Sequence, residues 1–441
     1  MTRQLGSLVS EVSATVDGLV SRDVQFTGCA DEPKLLTRLL EFRNSTGEWG
    51  HTTTFNTNIS HVAVRGSGTG IDREECLLPA FAELLERYSS SVYTDYQIIW
   101  ATANELGSEA IDIDCIPVCS PTELSHPRCP LVAPQKNQPI RWVKGLSLSN
   151  KRLVYLPAVM VYLYAGYASN AERIAVPIST GCAAHVTYEQ AIVNAILETV
   201  ERDALSLVWL QKLPLPRLRI EELHSPWEKV WDAYCSSSKN LDYRFFNATS
   251  DIGIPTIYGL RIAPNSTSAH TLVACATSLS PQEAVAKVIR DFSAACVSFR
   301  SVRRIPSNWD DFTAVHHGAV FMAHASRNEA FDFLTEQQES QMLMDVPLLA
   351  QFAPDRFDTL RKLLAHLRAK NLDVFVVDLT TDEAFRSGLK VVRVVIPQLQ
   401  PLPYRYLARY LGNARLYEAP LNMGYTVRHE SQLNRWPNPF A

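Results

Sequence analysis

The stretch QAIVNAILETVERDALSLVWLQ, within a helix read at about residues 188–211, constrains the fold more than any other feature. It is apolar on nearly every face, and its polar stripe is Asn194, Glu198 and Glu201. A helix that is apolar almost all round is a buried one. Residues three apart on a helix share a face, so Glu198 and Glu201 stand side by side in that interior. Buried carboxylates are strongly unfavourable unless a cation or a metal compensates them.

The same tetrad, Glu-x-x-Glu-Arg, occurs twice: as Glu83, Glu86 and Arg87, and as Glu198, Glu201 and Arg202. The bland explanation is a solvated helix face on which each Arg answers the Glu four residues before it. The apolar surroundings of the second tetrad weigh against that reading. Carboxylate oxygens from two helices suit magnesium, a hard ion that keeps positions open for water and phosphates. The arginines would then face phosphate charge.

A chain of 441 residues is too long for one small core, which leaves two or three lobes or one large α/β domain. Apolar residues make up 46% and charged residues 20%, which excludes disorder as the default. The net charge of −4, with no Lys/Arg-rich stretch, argues against a nucleic-acid partner. MTRQLGSLVSEVSATVDG has no secretion signal, and the longest apolar run, Leu153 to Ala168, contains Pro157 and falls short of the ~20 residues a membrane helix needs. The nine cysteines are scattered and fit reduced, mostly buried thiols of a cytoplasmic protein. Cys115, Cys119 and Cys129 come closest to a metal spacing but lack paired C-x₂-C knuckles.

Along the chain, Pro33 to Phe42 reads as a helical stretch, and HVAV, GSGTG and PAFAELLERY as strand, glycine turn and helix. Frequent prolines between Leu106 and Pro139 suggest an extended excursion. Residues 141–167 read as hairpin strands, and IPTIYGLRIA and HTLVACAT as two more. A third helix follows, with Ser280 as N-cap, Pro281 at its first position and Glu283 closing a capping box. NLDVFVVDL, a short helix ending near Gly388, VVRVVIP and a polar tail close the chain. The alternation gives an α/β or α+β class with mixed sheets packed against helices.

The surroundings of the tetrads resemble the signatures of the YcaO family. GSGTGIDREECLLPAFAELLERYS is similar to the first signature, PISTGCAAHVTYEQAIVNAILETVERDA to the second, and EAVAKVIRD to the third. VHHGAVFMAHASRNEAFDFL, DLTTDEAFRSGLKVVRVVIPQLQPL and PNPFA are similar, in order, to later family segments. The resemblance implies a YcaO-type fold around a central nucleotide site, with 61–441 as catalytic domain and 1–60 as part of the same domain.

By resemblance, Glu83, Glu86, Glu198 and Glu201 hold magnesium bridging the ATP phosphates. Arg202 contacts phosphate, with Arg87 beside it; Lys287 and Asp291 complete the nucleotide site, and Ser179 lies on the loop lining it. Pro437, Pro439 and Ala441 belong to a proline-spaced tail that threads back to the active site. The chain departs from the family pattern at Ser67, His185, Val186 and Ala294, and Lys287 and Asp291 are conservative swaps. His316, His317 and His324 lie in a matching segment, where a structural role is the simpler reading.

The implied activity is ATP-dependent cyclodehydration of Cys, Ser or Thr in a ribosomally made precursor peptide. The alternatives are backbone thioamidation and a non-catalytic scaffold subunit. The implied partners are a leader-bearing precursor peptide, a separate ThiF-like leader-binding protein and a flavin-dependent azoline dehydrogenase, with a homodimer inside a larger complex. The separate partner is expected because the signatures begin near residue 61. Neither nucleic acid nor membrane is expected as a partner.

Overall fold

The computed structural model describes residues 20–28, 32–42, 64–267, 269–301, 304–336, 339–347 and 356–440. HTTTFNTN, the first three residues of HVAV and Ala441 lie outside the described residues.

The apolar helix runs from Tyr188 to Gln211 (α2 in the numbering used below), and Thr187 caps it by accepting the Gln190 N–H. Its interior residues from Ala191 to Gln211 are buried on nearly all sides. They are covered because α2 lies between two sheets. It packs on strands β7 (Cys182–His185) and β14 (Lys390–Val395) of one, and on β10 (Thr256–Ile262) and β11 (Thr271–Thr277) of the other. The first sheet is six-stranded, in the order β4 (Ile98–Ala101), β5 (Ile140–Ser147), β13 (Phe375–Asp378), β14, β7, with β6 (Arg152–Pro157) also paired to β5. The second is five-stranded, in the order β11, β10, β9 (Asp242–Asn247), β8 (Arg217–Arg219), β12 (Ser340–Met342). Only the β8–β12 pair in it is parallel. Mixed α/β architecture is therefore present as read.

A third, antiparallel sheet of β1 (Val20–Thr27), β2 (Leu36–Phe42) and β3 (Arg65–Gly70) carries helix α1 (Arg73–Ser89) on one face. Here the structure departs from the sequence reading: Leu36–Phe42, read as part of a helical stretch, is a strand paired on both sides. GSGTG is not a turn but most of β3. Its glycines lie against the helix backbone: a Cβ at Gly66 would stand 2.1 Å from Ala80 O, and one at Gly68 would stand 2.1 Å from Cys76 O. Only residues without a Cβ allow that approach. The helix begins at Arg73, with Asp72 Oδ1 accepting the Glu74 and Glu75 N–H groups at 2.9 Å, and continues through Pro79 rather than starting there.

Between β4 and β5 the described chain makes only short helical turns, as the prolines suggest. The β5–β6 hairpin ends at Pro157 and gives way to a 3-10 turn, so the strands stop short of Tyr167. Helix α4 (Pro281–Ser301; α3 is Glu228–Cys235) starts where expected. However, Glu283 accepts the Ser278 hydroxyl, and the Ser280 N–H turns to that same hydroxyl, so the expected box does not close. Helices α5 (Val315–Met322), α6 (Arg356–Ala369) and α7 (Arg415–Asn422) complete the frame. Gly388, at φ +74, turns the chain into β14. No described helix is long and apolar enough to cross a membrane.

Candidate active site

Glu83, Glu86 and Arg87 project from α1, and Glu198, Glu201 and Arg202 from α2. Three of the carboxylates are held by a backbone N–H from a neighbouring strand or loop. Ser67 N–H donates to Glu83 Oε2 at 2.8 Å, reinforced by its hydroxyl at 3.0 Å. Gly181 N–H donates to Glu198 Oε2 at 3.1 Å, and Thr277 N–H to Glu201 Oε2 at 2.9 Å. Each anchor thus comes from a different place: β3, the loop before β7, and the end of β11.

The Oε1 atom of each glutamate faces an arginine. Arg87 reaches Glu83 Oε1 and Glu86 Oε1, both at 3.2 Å. Arg202 reaches Glu198 Oε1 at 3.3 Å and pairs closely with Glu201 Oε1. Burial pushes the Glu86 carboxyl up to about 8; Arg87 opposes that shift while Glu198 and Glu83 add to it. Burial raises Glu201 in the same way, against the pull of Arg202. Burial works against the charge on Arg87, but Glu86, Glu83 and Glu198 more than offset it.

Carboxylates crowded into an interior, with mutual repulsion left over, favour an incoming cation. The donor type fits magnesium, which takes hard oxygen ligands. Among the described residues, however, no group of three or more His, Cys, Asp or Glu side chains already forms a metal cage. Arg87 and Arg202 already pair with these glutamates, so a cation taken up here would compete with the two arginines.

A cavity of ≈ 690 Å³ opens beside the two helices, and Ser67, Glu83, Arg87, Ser179, Arg202, Lys287 and Asp291 stand on its wall. Glu86, Glu198 and Glu201 are not on that wall; Arg87 and Arg202 present themselves to the cavity instead. Lys287 and Asp291 lie one turn apart on α4. Asp291 is exposed to the cavity but enclosed by protein, and burial with the nearby Glu201 pushes its carboxyl up to about 7. Ala294 also lines the cavity, whereas His185 and Val186 do not.

The polar tail read from the sequence is largely packed into the protein. Asn434, Pro437, Asn438, Pro439 and Phe440 are buried. Trp436 packs with Trp309 at 5.5 Å between ring centroids and with Phe321 at 6.4 Å. Pro439 and Phe440 line the cavity and Pro437 does not; Ala441 is outside the described residues.

The anchoring residues Ser67, Gly181 and Thr277 were not read from the sequence as carboxylate partners, because a backbone donor leaves no side-chain signature. Arg393 was also missed, although an Arg inside the apolar run VVRVVIP is a visible signal. It is buried, donates to Ile178 O at 2.6 Å and to Cys182 Sγ at 3.2 Å, and lies close enough to Glu86 to oppose its upward shift. His317 accepts N–H groups at the start of α5, and His324 caps the next turn, so both serve local structure. Cys119 and Cys129 sit in an apolar core cluster.

Residues 67–400 match the family model described as YcaO cyclodehydratase, ATP- and Mg2+-binding. An uncharacterized protein in the tfuA 3′ region of Rhizobium leguminosarum bv. trifolii is 26% identical over 247 residues, covering 53% of this chain and 54% of that protein. A solved heterocyclase in complex with substrate and cofactor superposes with a TM-score of 0.77 at 21% identity, over 100% of this chain and 57% of that one. YcaO from Methanopyrus kandleri bound with AMPPCP and Mg2+ gives 0.63 at 16% identity, over 91% of each chain. A chain of the E. coli microcin synthetase McbBCD complex gives 0.60 at 15% identity, over 95% of this chain and 96% of that one. At these identities the structural likeness is one of fold. The chain spans little more than half the length of the curated relative and of the first heterocyclase.

Proposed function

Because this chain belongs to the YcaO family, we propose that it is an ATP- and magnesium-dependent cyclodehydratase acting on a ribosomally made precursor peptide. Its products are thiazoline or oxazoline rings, each closed by a Cys, Ser or Thr side chain bonding to the preceding carbonyl carbon. The observation that carries this reading is the convergence of Glu83, Arg87, Ser179, Arg202, Lys287 and Asp291 on one cavity wall.

When bound, magnesium–ATP supplies the phosphoryl group that lets the amide oxygen depart as phosphate, a departure a stable amide does not undergo unaided. Glu83, Glu86, Glu198 and Glu201 would hold the metal, and three of them are already oriented by the Ser67, Gly181 and Thr277 N–H groups. Arg87 and Arg202 would offer their N–H groups to phosphate oxygens, and Lys287 would add a point charge from α4. Asp291 and the Ser179 loop complete the nucleotide site. Pro437, Pro439 and Ala441 belong to a segment that positions the peptide carbonyl at the cavity. Proline fixes φ, which lowers the entropy cost of holding such a segment extended.

A leader-bearing peptide and a separate ThiF-like partner that captures the leader are part of the proposal, as are a homodimer and a flavin-dependent dehydrogenase acting on the rings. The likeness to a subunit of a synthetase complex, one structure of which holds pro-MccB17, supports an assembly of this kind.

Glu198→Gln and Glu201→Gln variants test the reading. Each is expected to stay folded, lose ATP turnover and leave the peptide mass unchanged, while the wild type removes one water per ring. Wild-type ATP turnover in either variant overturns the metal assignment. A product with sulfur in place of oxygen overturns cyclodehydration in favour of thioamide formation.

A further inference from the structure

Segment 434–440 reaches the candidate site through a residue that neither the tetrads nor the proline spacing singles out. At the far end of α2, Asn434 N–H donates to Leu210 O at 2.8 Å, and the Trp209 indole N–H donates to Trp436 O at 3.2 Å. Arg202 precedes Trp209 by seven positions, two turns along the same face and about 10 Å away. The segment spans that distance, and the Phe440 ring comes to rest on the Arg202 guanidinium, 4.4 Å from carbon to centroid. Its other side lies on α5, where a Cβ at Gly318 would meet Asn438 O at 2.2 Å. The ring is 7% exposed and forms part of the cavity wall.

A guanidinium donates in its own plane and attracts an aromatic ring at its face. Donors of Arg202 are directed at Glu198 and Glu201, and its guanidinium carbon lies over the Phe440 ring. When the carboxylates turn to a cation, the ring is the contact that remains. We propose that Phe440 is a positioning residue that fixes the plane of Arg202 so that its N–H edge meets the phosphates. This inference rests on the nucleotide reading above. It ties tail and nucleotide site together: loss of the tail weakens nucleotide binding as well as peptide positioning.

The test is equilibrium binding of magnesium with a non-hydrolysable ATP analogue to the full chain, measured by calorimetry for wild type and for Phe440→Tyr, Phe440→Trp and Phe440→Leu. Tyr and Trp keep an aromatic face, whereas Leu keeps apolar bulk without one. Leu is expected to weaken binding about ten-fold, the factor set by ~1.4 kcal/mol of cation–π attraction, with Tyr and Trp close to wild type. Melting curves identify any variant whose fold is damaged; if Leu is damaged, wild-type affinity in Tyr and Trp together with about ten-fold weaker binding in Phe440→Met still supports the role. Equal affinity in wild type and in a folded Leu or Met variant overturns the inference alone, as does equal weakening across the whole series. A wild type that does not bind the analogue overturns the nucleotide reading and this inference with it.

Discussion

Gly68→Ala puts the attachment of α1 to the site under direct strain. A Cβ at this position would stand 2.1 Å from Cys76 O and 2.7 Å from Ala80 N, where ordinary contacts begin at 3.4 Å. Both neighbours are backbone atoms inside α1, so neither can rotate aside. Relief requires β3 and α1 to separate by more than an ångström. Overpacking a tight interior costs about 1–3 kcal/mol, and unyielding backbone opposition places this substitution near ~3 kcal/mol. The same displacement lengthens the 2.8 Å bond from Ser67 N–H to Glu83, the next residue along β3. Urea unfolding followed by circular dichroism is therefore expected to show the loss of stability, and calorimetry a parallel loss of nucleotide affinity. Gly388→Ala is the internal control. Its φ of +74 carries left-handed strain, but nothing lies within 4 Å of the added Cβ. It should cost about 1–2 kcal/mol and leave nucleotide binding unchanged. A Gly68→Ala protein with wild-type unfolding midpoint and affinity would refute the close packing of β3 on α1.

Arg415→Ala strips the cation from fully buried Asp203, which it holds through two bonds of 2.6 Å, and is expected to cost about 3–5 kcal/mol in an unfolding titration. Among the described cysteines, Cys115 and Cys235 are exposed, while Cys76, Cys119, Cys129, Cys182, Cys275 and Cys296 are buried. Of these eight, iodoacetamide followed by peptide mapping should mark only Cys115 and Cys235 in the folded protein. Partial burial raises both of their thiol pKa values, so labelling is slow at neutral pH and speeds up as pH rises and thiolate forms. Native-state labelling of Cys182 or Cys275 would contradict the packing around the glutamates.

Helices α1, α2 and α4 were legible in the sequence, whereas α3, α5, α6 and α7 were not. The extent of α2 follows from its apolar surface, and the pairing of Glu198 with Glu201 follows from helical spacing. GSGTG was misread because glycines usually mark turns, and its reason for being a strand is the backbone of a helix that lies later in the sequence. The Arg87 and Arg202 clamps were foreshadowed by the i,i+4 spacing offered as the bland reading. The pairs of that reading form, but in a largely buried setting rather than on a solvated helix face. The packing of segment 434–440 was invisible to periodicity, because it depends on Trp436 meeting distant aromatic rings and on backbone bonds to α2. The capping box at Ser280 failed because Ser278, two residues earlier, competes for the same carboxylate.

On the proposed function, the glutamates of α1 and α2 release their arginines to take up metal and nucleotide. Crystals grown with manganese and a non-hydrolysable ATP analogue, measured at a wavelength where manganese scatters anomalously, test it most directly. The account predicts anomalous peaks within coordination distance of oxygens from Glu83, Glu86, Glu198 and Glu201, with Arg87 and Arg202 turned from carboxylate to phosphate. Manganese bound elsewhere, or nucleotide bound while both arginines stay on their glutamates, would contradict it.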